Sequence, residues 1–504
     1  MRRLTHLAQD REVLLARLER LPLNKGVLGI IGLLSLVWVA EAFDIGMVGS
    51  VLTTVSNFMH LSHNQVGLLG AGSTAGVVLG MVPSGYLADR WGRRRVVIWG
   101  IVWFSVFTLT GAIAGGFGSL LTVRVLAGFG EGAVLPLPYL YLAEFVGTRY
   151  RALSVGGSNG ILTSAYLLPN LAAVWALQSF SGGWAWRTPF LLGGLPLLLV
   201  LPLARYLPES PRFLLRQERF AEVENLVKSL ERGAGLPKVT SFSHLRESSR
   251  RESSRKEQAA LLSERIRANE KAITHHDWAN FSVVQRISLA RLVRAPYGLR
   301  TLVVAMQLTG TLMLFYVLQV FGPTLLLSKG LSNGSAILYT GFMMAVAGVG
   351  SVMTGYLSDR IGRKWVLGGS LSLASLGCLF MATGQQSGTL LLAGGLASFF
   401  GLGVLPVAKL SVAEQYPTAL RGRGVYVNEM SARLVGGVFS LYFVPLLLQG
   451  VGSRGLFAGM AATVILLSVP YLLWGRETYN VTMEQSGSIQ PLRNTRRETA
   501  TSSG

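Results

Sequence analysis

Stretches of apolar residues long enough to cross a bilayer alternate with short polar turns along most of this chain. A spanning helix needs about 20 apolar residues, and twelve segments meet that length. They run from Val27 to Leu52, Val66 to Leu87, Val96 to Ala114, Ser119 to Leu142, Ala152 to Leu177 and Trp186 to Tyr206. A second set runs from Leu299 to Leu327, Ala336 to Leu357, Trp365 to Thr383, Thr389 to Ser411, Val425 to Leu448 and Leu456 to Trp474. Between the sets, Glu209 to Pro296 breaks the pattern. It opens with Ser210-Pro211, a helix cap followed by proline at the first helical position, and Phe213, Leu214, Phe220, Val223, Leu226, Val227 and Leu230 follow at helical spacing. Gly233 and Gly235 stop that helix. Ser241 to Lys256, rich in serine, arginine and glutamate, reads as a disordered or loosely helical linker, and Leu261 to Ala272 recovers some helical character. The tail from Gly487 reads as disordered.

The two sets repeat each other. Gly85-Tyr86-Leu87-Ala88-Asp89-Arg90-Trp91-Gly92-Arg93 returns as Gly355-Tyr356-Leu357-Ser358-Asp359-Arg360-Ile361-Gly362-Arg363, 270 positions later. The same offset pairs Pro136 with Pro406, Glu144 with Glu414, Thr148 with Thr418 and Arg151 with Arg421. The predicted fold is therefore an all-α membrane protein of twelve transmembrane helices, in two six-helix halves related by an internal repeat, with a cytoplasmic loop helix between them. The organisation is a leader over 1–26, one half over 27–208, a central loop over 209–297, the other half over 298–475 and a tail over 476–504.

Composition agrees: half the residues are hydrophobic and only 14% are charged. A formal charge of +21 raises nucleic acid as a partner, but the basic residues flank apolar segments, so the positive-inside rule accounts for them and nucleic acid is excluded. Arg90, Arg93 to Arg95, Arg149, Arg151, Arg360, Arg363, Lys364, Arg421 and Arg423 fall on one side; only Arg187, Lys329 and Arg454 interrupt the other. The basic side, both termini and the central loop are therefore predicted to be cytoplasmic, and the protein to be a multi-pass protein of the plasma or inner membrane. The leader places Leu7, Leu14, Leu15, Leu18 and Leu21 among arginines, which suits either an amphipathic helix on an anionic leaflet or a merely solvated arm. It lacks the short apolar core and small-residue cleavage site of a signal peptide. The one cysteine, Cys378, lies within an apolar segment, so no disulfide framework arises.

Charges inside spans are costly, about 2.5–3.5 kcal/mol each on insertion scales, so those that persist are candidates for function. Glu41 and Asp44 share one face of the first helix; Arg124 and Glu131 share a face of the fourth, two turns apart. Counted from the outer ends at about 1.5 Å per residue, Asp44 and Arg124 sit at similar depth, as do Glu41 and Glu131. The four are predicted to form either a proton site or a static ion pair locking two helices. Arg433 lies about 13 Å inside the eleventh helix, too deep to snorkel, and needs an anion, from Glu429 one turn earlier or from a substrate. Lys409, nearer the end of its helix, is expected to snorkel. No metal-ligand cluster or nucleophile with its base is visible, so the chain reads as no enzyme and as needing no cofactor.

The repeated motif resembles the loops between helices two and three and between helices eight and nine of major facilitator transporters. Pro208-Glu209-Ser210-Pro211-Arg212-Phe213-Leu214, with Arg124, Gly128, Gly130 and Gly132, looks like the sugar-porter branch. Gln307-Leu308-Thr309-Gly310 with Phe315-Tyr316 resembles its hexose motif, yet Met306 and Leu312 replace two hydrogen-bonding groups, Asn159 stands for a glutamine, and Val407 follows Pro406 in place of a tryptophan. Glu41-Ala42-Phe43-Asp44 looks instead like the paired acids of bacterial aromatic-acid and niacin proton symporters, and the chain's pattern resembles those and synaptic-vesicle-glycoprotein-like carriers. Glu414 to Thr418, Arg433 with Gly436-Gly437, and Gly475-Arg476-Glu477-Thr478 resemble the same branch.

That resemblance implies a monomeric secondary transporter of a small organic anion, coupled to protons and working by alternating access. Asn159, Gln307, Tyr316 and Arg433 would bind substrate; Asp44, Glu41, Arg124 and Glu131 would couple protons. Gly85, Asp89, Arg90, Gly92, Arg93, Glu144 and Arg151, with Gly355, Asp359, Arg360, Gly362, Arg363, Glu414 and Arg421, would form a cytoplasmic gate whose charges pair across the halves when the inner side is closed. A sugar or polyol carrier and a non-transporting nutrient receptor are the competing expectations.

Overall fold

Polar caps set where several spans begin. The Asn24 side chain accepts from the Val27 amide, Ser62 and Gln65 form a reciprocal capping box, and the Ser332 hydroxyl accepts from the Ser335 amide. The computed structural model describes residues 13–233, 292, 297–416 and 418–478, and every regular element among them is a helix.

In the first half the spans are Lys25–Met59, His63–Trp91, Arg93–Gly111, Phe117–Val134 continued by Leu137–Phe145, Thr148–Ala165 continued by Leu167–Ser179, and Trp184–Leu192 continued to Tyr206. In the second they are Gly298–Leu327, Asn333–Ile361, Arg363–Thr383, Ser387–Gly401 continued by Leu405–Glu414, and Thr418–Arg433 running through a π turn, Leu434–Phe439, into Ser440–Trp474. Helices begin at 63, 93, 117 and 148 and again at 333, 363, 387 and 418, so the 270-residue offset of the sequence is kept by the backbone.

Among the described residues, ten helices are long and apolar enough to cross a membrane by length and composition. Two facts bring the number to twelve. Arg93–Gly111 opens with three arginines that lower its average hydropathy, and the last stretch is two spans joined at Gly452, whose φ of 65° is not helical. Trp99, Ile113, Leu201, Leu392 and Leu466 stand outward and exposed, an apolar exterior that suits lipid and not water.

Within a half, glycine seams let helices touch backbone to backbone. A Cβ on Gly80 would lie 1.9 Å from the Phe129 carbonyl and one on Gly128 would lie 2.1 Å from that of Ser73, so the second and fourth helices meet at a distance only glycine allows. Between halves, Thr53 donates to Asn333 (3.1 Å), Ser164 to the Ala345 carbonyl (3.3 Å), and Ser84 bonds Tyr426 (3.3 Å).

The central loop begins as expected, with the Ser210 hydroxyl accepting from the Phe213 amide ahead of Pro211. One continuous helix does not follow. Glu218 takes a left-handed φ of 57°, and the Arg219 amide returns to the Leu214 carbonyl, so Pro211–Arg216 closes before Phe220–Gly233 starts. The stretches from Ser241 to Lys256 and Leu261 to Ala272, and the tail from Gly487, lie outside the described residues.

From residue 13 on, where it is described, the leader differs from both of its expected fates; Leu7 lies outside the described residues. Residues 13–19 are helical, and Leu14, Leu18 and Leu21 are buried in one cluster with Val223, Val227 and Leu230 of the central-loop helix. Arg17 grips Glu231 with two bonds, of 2.8 and 2.5 Å, and the Asn24 amide donates to the Leu230 carbonyl at 2.7 Å. The loop helix offers an apolar stripe and an acid that match the leader's leucines and arginine, so protein, not lipid or solvent, covers that face.

Candidate functional site

The paired motifs build two like structures at corresponding ends of the halves. Gly92 and Gly362 hold φ of 93° and 101°, the left-handed region that favours glycine. Each lets a helix start where a carboxylate is waiting. Glu209 Oε1 accepts from the amides of Arg93 and Arg94, and Glu477 accepts from those of Arg363 and Lys364. A negative group at a helix N-terminus meets both the unpaired amides and the positive end of the dipole. A Cβ on Gly92 would sit 2.3 Å from Glu209 Oε2, and one on Gly362 would sit 2.5 Å from Glu477 Oε2.

Around each cap the same charges gather. Arg93 binds Glu144, which also accepts from the Ser210 hydroxyl; Arg363 lies 3.5 Å from Glu414, which accepts from the Thr478 hydroxyl. Asp359 pairs with Arg363 (2.9 Å) and Asp89 with Arg216 of the loop (3.1 Å). Arg90 donates to Tyr86, Arg360 lies over the Tyr356 ring, and Arg421 donates to the Ala413 carbonyl. These pairs stay within a half or join it to the central loop or to the start of the tail. The pairing expected across the halves belongs to a state closed on the inner side. Gly85 and Gly355 face open space, and the Arg151 side chain lies outside the described residues.

A prediction follows for the caps. Gly92→Ala and Gly362→Ala combine left-handed strain with a clash against the capping carboxylate, a loss of about 1–3 kcal/mol each. Gly85→Ala, helical and unobstructed, is expected to be neutral or slightly stabilising. Thermal unfolding of the purified variants would expose the difference; equal melting temperatures would contradict it.

Deeper in the first half, the glycine contact between helices two and four seats Arg124 beside the first helix. Its Nη1 lies 3.1 Å from Asp44 Oδ1, its Nε donates to Ser73 Oγ at 2.9 Å, and its Nη2 is 3.6 Å from Glu131 Oε1. The Thr108 hydroxyl donates to Asp44 at 2.5 Å. Asp44, Arg124 and Glu131 are wholly buried, so one guanidinium serves two carboxylates away from water. Neither Glu131 oxygen has a hydrogen-bond partner within the protein. Glu41, also wholly buried, stands apart: the bonds of Arg124 go to Asp44, Ser73 and Thr108, and both Glu41 oxygens lack a hydrogen-bond partner within the protein.

A second cluster lies on the eleventh and tenth helices. Arg433, buried, binds Glu429 one turn back, while its Nε donates to nothing in the protein. The π turn starts at the next residue, a feature often found at functional sites. Lys409 does not snorkel. Its ammonium lies 3.8 Å from Glu429 and 4.9 Å above the Tyr139 ring of the opposite half, because an acid and an aromatic face inside the bundle outweigh the reach to the surface. Tyr139 in turn donates to Asn159 (2.8 Å), whose amide reaches Ser351 of the second half (3.4 Å). Gln307 spends its amide on Thr311 (3.1 Å) and leaves its oxygen unpartnered, and Tyr316 packs against Phe315 and beneath Gly437.

Two repeated halves, a buried acid–base trio and a cationic cluster at their interface describe a carrier. A family model described as Sugar (and other) transporter matches residues 33–488. The chain belongs to that family, within the major facilitator superfamily. It is a transporter and not an enzyme. As a sugar (and other) transporter it is similar to the niacin transporter NiaP of Acinetobacter baylyi, at 25% identity over 476 residues, 94% of this chain and 99% of that one. The gallate transporter of Pseudomonas putida is 27% identical over 458 residues, 88% of each chain. Among solved structures, the inward open conformation of the xylose transporter XylE from E. coli matches with a TM-score of 0.68 and 17% identity, over 91% of this chain and 99% of that one, a likeness of fold alone.

Several members of this site have roles that the sequence reading did not assign. Glu209-Ser210 and Glu477-Thr478 recur 268 residues apart, nearly the repeat's own offset, and that spacing was the available signal for their shared part as caps. Tyr139, Thr108 and Ser73 carry no such signal, because ordinary polar residues in apolar helices declare their partners only after packing.

Proposed function

We propose that this transporter moves a small aromatic or short-chain carboxylate with protons, by rocking its two six-helix halves around the Arg433 cluster. The observation that carries the reading is Arg433 itself: a buried guanidinium at the interface of the halves, with one donor on Glu429 and Nε unfilled. A substrate carboxylate can take the planar fork while Glu429 remains with Lys409. The names of relatives that move niacin and gallate support an organic acid. Met306 and Leu312, where hexose-binding groups would stand, favour an apolar pocket over a hydroxyl-lined one.

Protons enter through the trio. Asp44 and Glu131 share Arg124, so the group is neutral only when one of the two carboxyls is protonated, and neutral groups cross between states most readily in a low-dielectric interior. Asn159, Gln307 and Tyr316 complete the substrate's surroundings. The capped motifs, with Asp89, Arg90, Glu144, Asp359 and Glu414, brace the cytoplasmic end of each half. The basic face, both termini and the central loop are cytoplasmic, the membrane is the plasma or inner membrane, and the working unit is a monomer. Counterflow tests the substrate class. Proteoliposomes loaded with unlabelled 4-hydroxybenzoate or nicotinate should take up the labelled acid, and those loaded with xylose should not; exchange of xylose alone would overturn the reading.

A further inference from the structure

The leader and the central loop close on each other across the inner end of the first half. Arg17 holds Glu231 with two bonds, and both side chains are largely buried. Asn24 works in two directions: its oxygen caps the first helix at Val27, and its amide donates to the Leu230 carbonyl at 2.7 Å. Between these two anchors the leader's backbone crosses the turn that joins the fourth and fifth helices. A Cβ on Gly147 would lie 2.4 Å from the Glu19 carbonyl oxygen. Leu14, Leu18 and Leu21 seal the contact against Val223, Val227 and Leu230.

What this strap holds down is the segment that engages two acids of the expected gate. The Ser210 hydroxyl donates to Glu144, and Arg216 pairs with Asp89 at 3.1 Å. Leu214 and Leu215, in the short helix between them, belong to the same buried cluster as the leader's leucines and Val223, Val227 and Leu230. A close-packed cluster moves as a body, so a shift at Glu231 reaches Arg216 and Ser210 through side chains already in contact. Asp89 and Glu144 are expected to reach across to the second half when the inner side closes. While the loop is strapped down, both are engaged on their own side.

We infer that Arg17 and Glu231 are positioning residues of the gate: paired, they hold the loop on Asp89 and Glu144 and favour the state open to the inner side; parted, they free those acids for closure. The pair acts through the loop and touches no substrate. Two states that differ by a few contacts are shifted by as much as one of them gains from those contacts, so a strap that engages only one state sets their ratio. This rests on the proposal that the two halves rock against each other.

Pulsed electron paramagnetic resonance on the purified full-length protein tests it, with spin labels on the cysteines of Gly85→Cys and Gly355→Cys. These positions correspond in the repeat, lie at the same ends of the two halves and have room for a side chain, and the native Cys378 is buried. Arg17→Glu should raise the ratio of the short, inner-closed distance to the long one about twofold to fivefold, the range of an exposed ion pair such as Arg216–Asp89. Gly147→Ala, which displaces the leader's backbone without altering a charge, should shift the ratio the same way. The exchanged pair, Arg17→Glu with Glu231→Arg, should restore the parent's ratio. Lower melting temperatures with the parent's ratio in Arg17→Glu and Gly147→Ala would mean a strap that stabilises the fold and nothing more, and would overturn the inference. A shift that the exchanged pair fails to reverse would overturn it too. Failure of the rocking itself would look different: one unchanging distance in the parent and every variant, with nicotinate and with 4-hydroxybenzoate alike, would remove that reading and this inference with it.

Discussion

Asp44→Asn is expected to abolish accumulation of substrate driven by a pH gradient while sparing exchange of labelled for unlabelled substrate. The change leaves Arg124 facing Glu131 alone, a pair already neutral without a proton, so the carrier can change state but has no need to bring one. Asparagine keeps the size of the side chain and can still accept from Thr108, which separates the loss of charge from loss of fold. A gradient of one pH unit supplies about tenfold accumulation for one coupled proton. Asp44→Asn should bring that to about unity by the same relation. If the variant still concentrates substrate, Asp44 does not couple, and Glu131 becomes the group to change.

Replacing Arg433 by lysine should weaken carboxylate binding by about tenfold to a hundredfold, the range of one lost charge-assisted hydrogen bond. Lysine keeps the charge and loses the planar fork, so one bond on the substrate goes while the pairing with Glu429 survives. Glu429→Gln is expected to have the opposite tendency. It removes the internal competitor for the guanidinium, and binding should be unchanged or tighter. Equilibrium binding of 4-hydroxybenzoate or nicotinate to both variants checks the pair of outcomes, and an Arg433→Lys protein as good as its parent would break the link between this residue and the substrate.

The helical architecture was legible in the sequence because it rests on two one-dimensional signals. Segment length against bilayer thickness marks a span, and an offset of 270 residues marks the repeat, whatever the side chains later touch. Gly92 and Gly362 were readable as turns, but the carboxylates that cap the helices after them come from 116 and 114 residues further along the chain, at Glu209 and Glu477. Nothing local links such groups. The closeness of Asp44 to Arg124 was readable because each could be placed in depth along its own straight helix. Lys409 was misjudged by the same reasoning: depth along a helix says nothing of azimuth, and this lysine faces Tyr139 and Glu429 inside the bundle. The leader failed for a related cause. An amphipathic stripe states that a face will be covered and is silent on whether lipid or another helix covers it.

The central claim, that a carboxylate crosses with a proton, is tested most directly in proteoliposomes holding the parent protein alone. Uptake of labelled 4-hydroxybenzoate should rise above equilibrium when the outside is made acidic, and alkalinisation of the outer medium should accompany uptake when substrate is added without an imposed gradient. Uptake that stops at equilibrium under an acid-outside gradient, with no proton movement, would contradict the account.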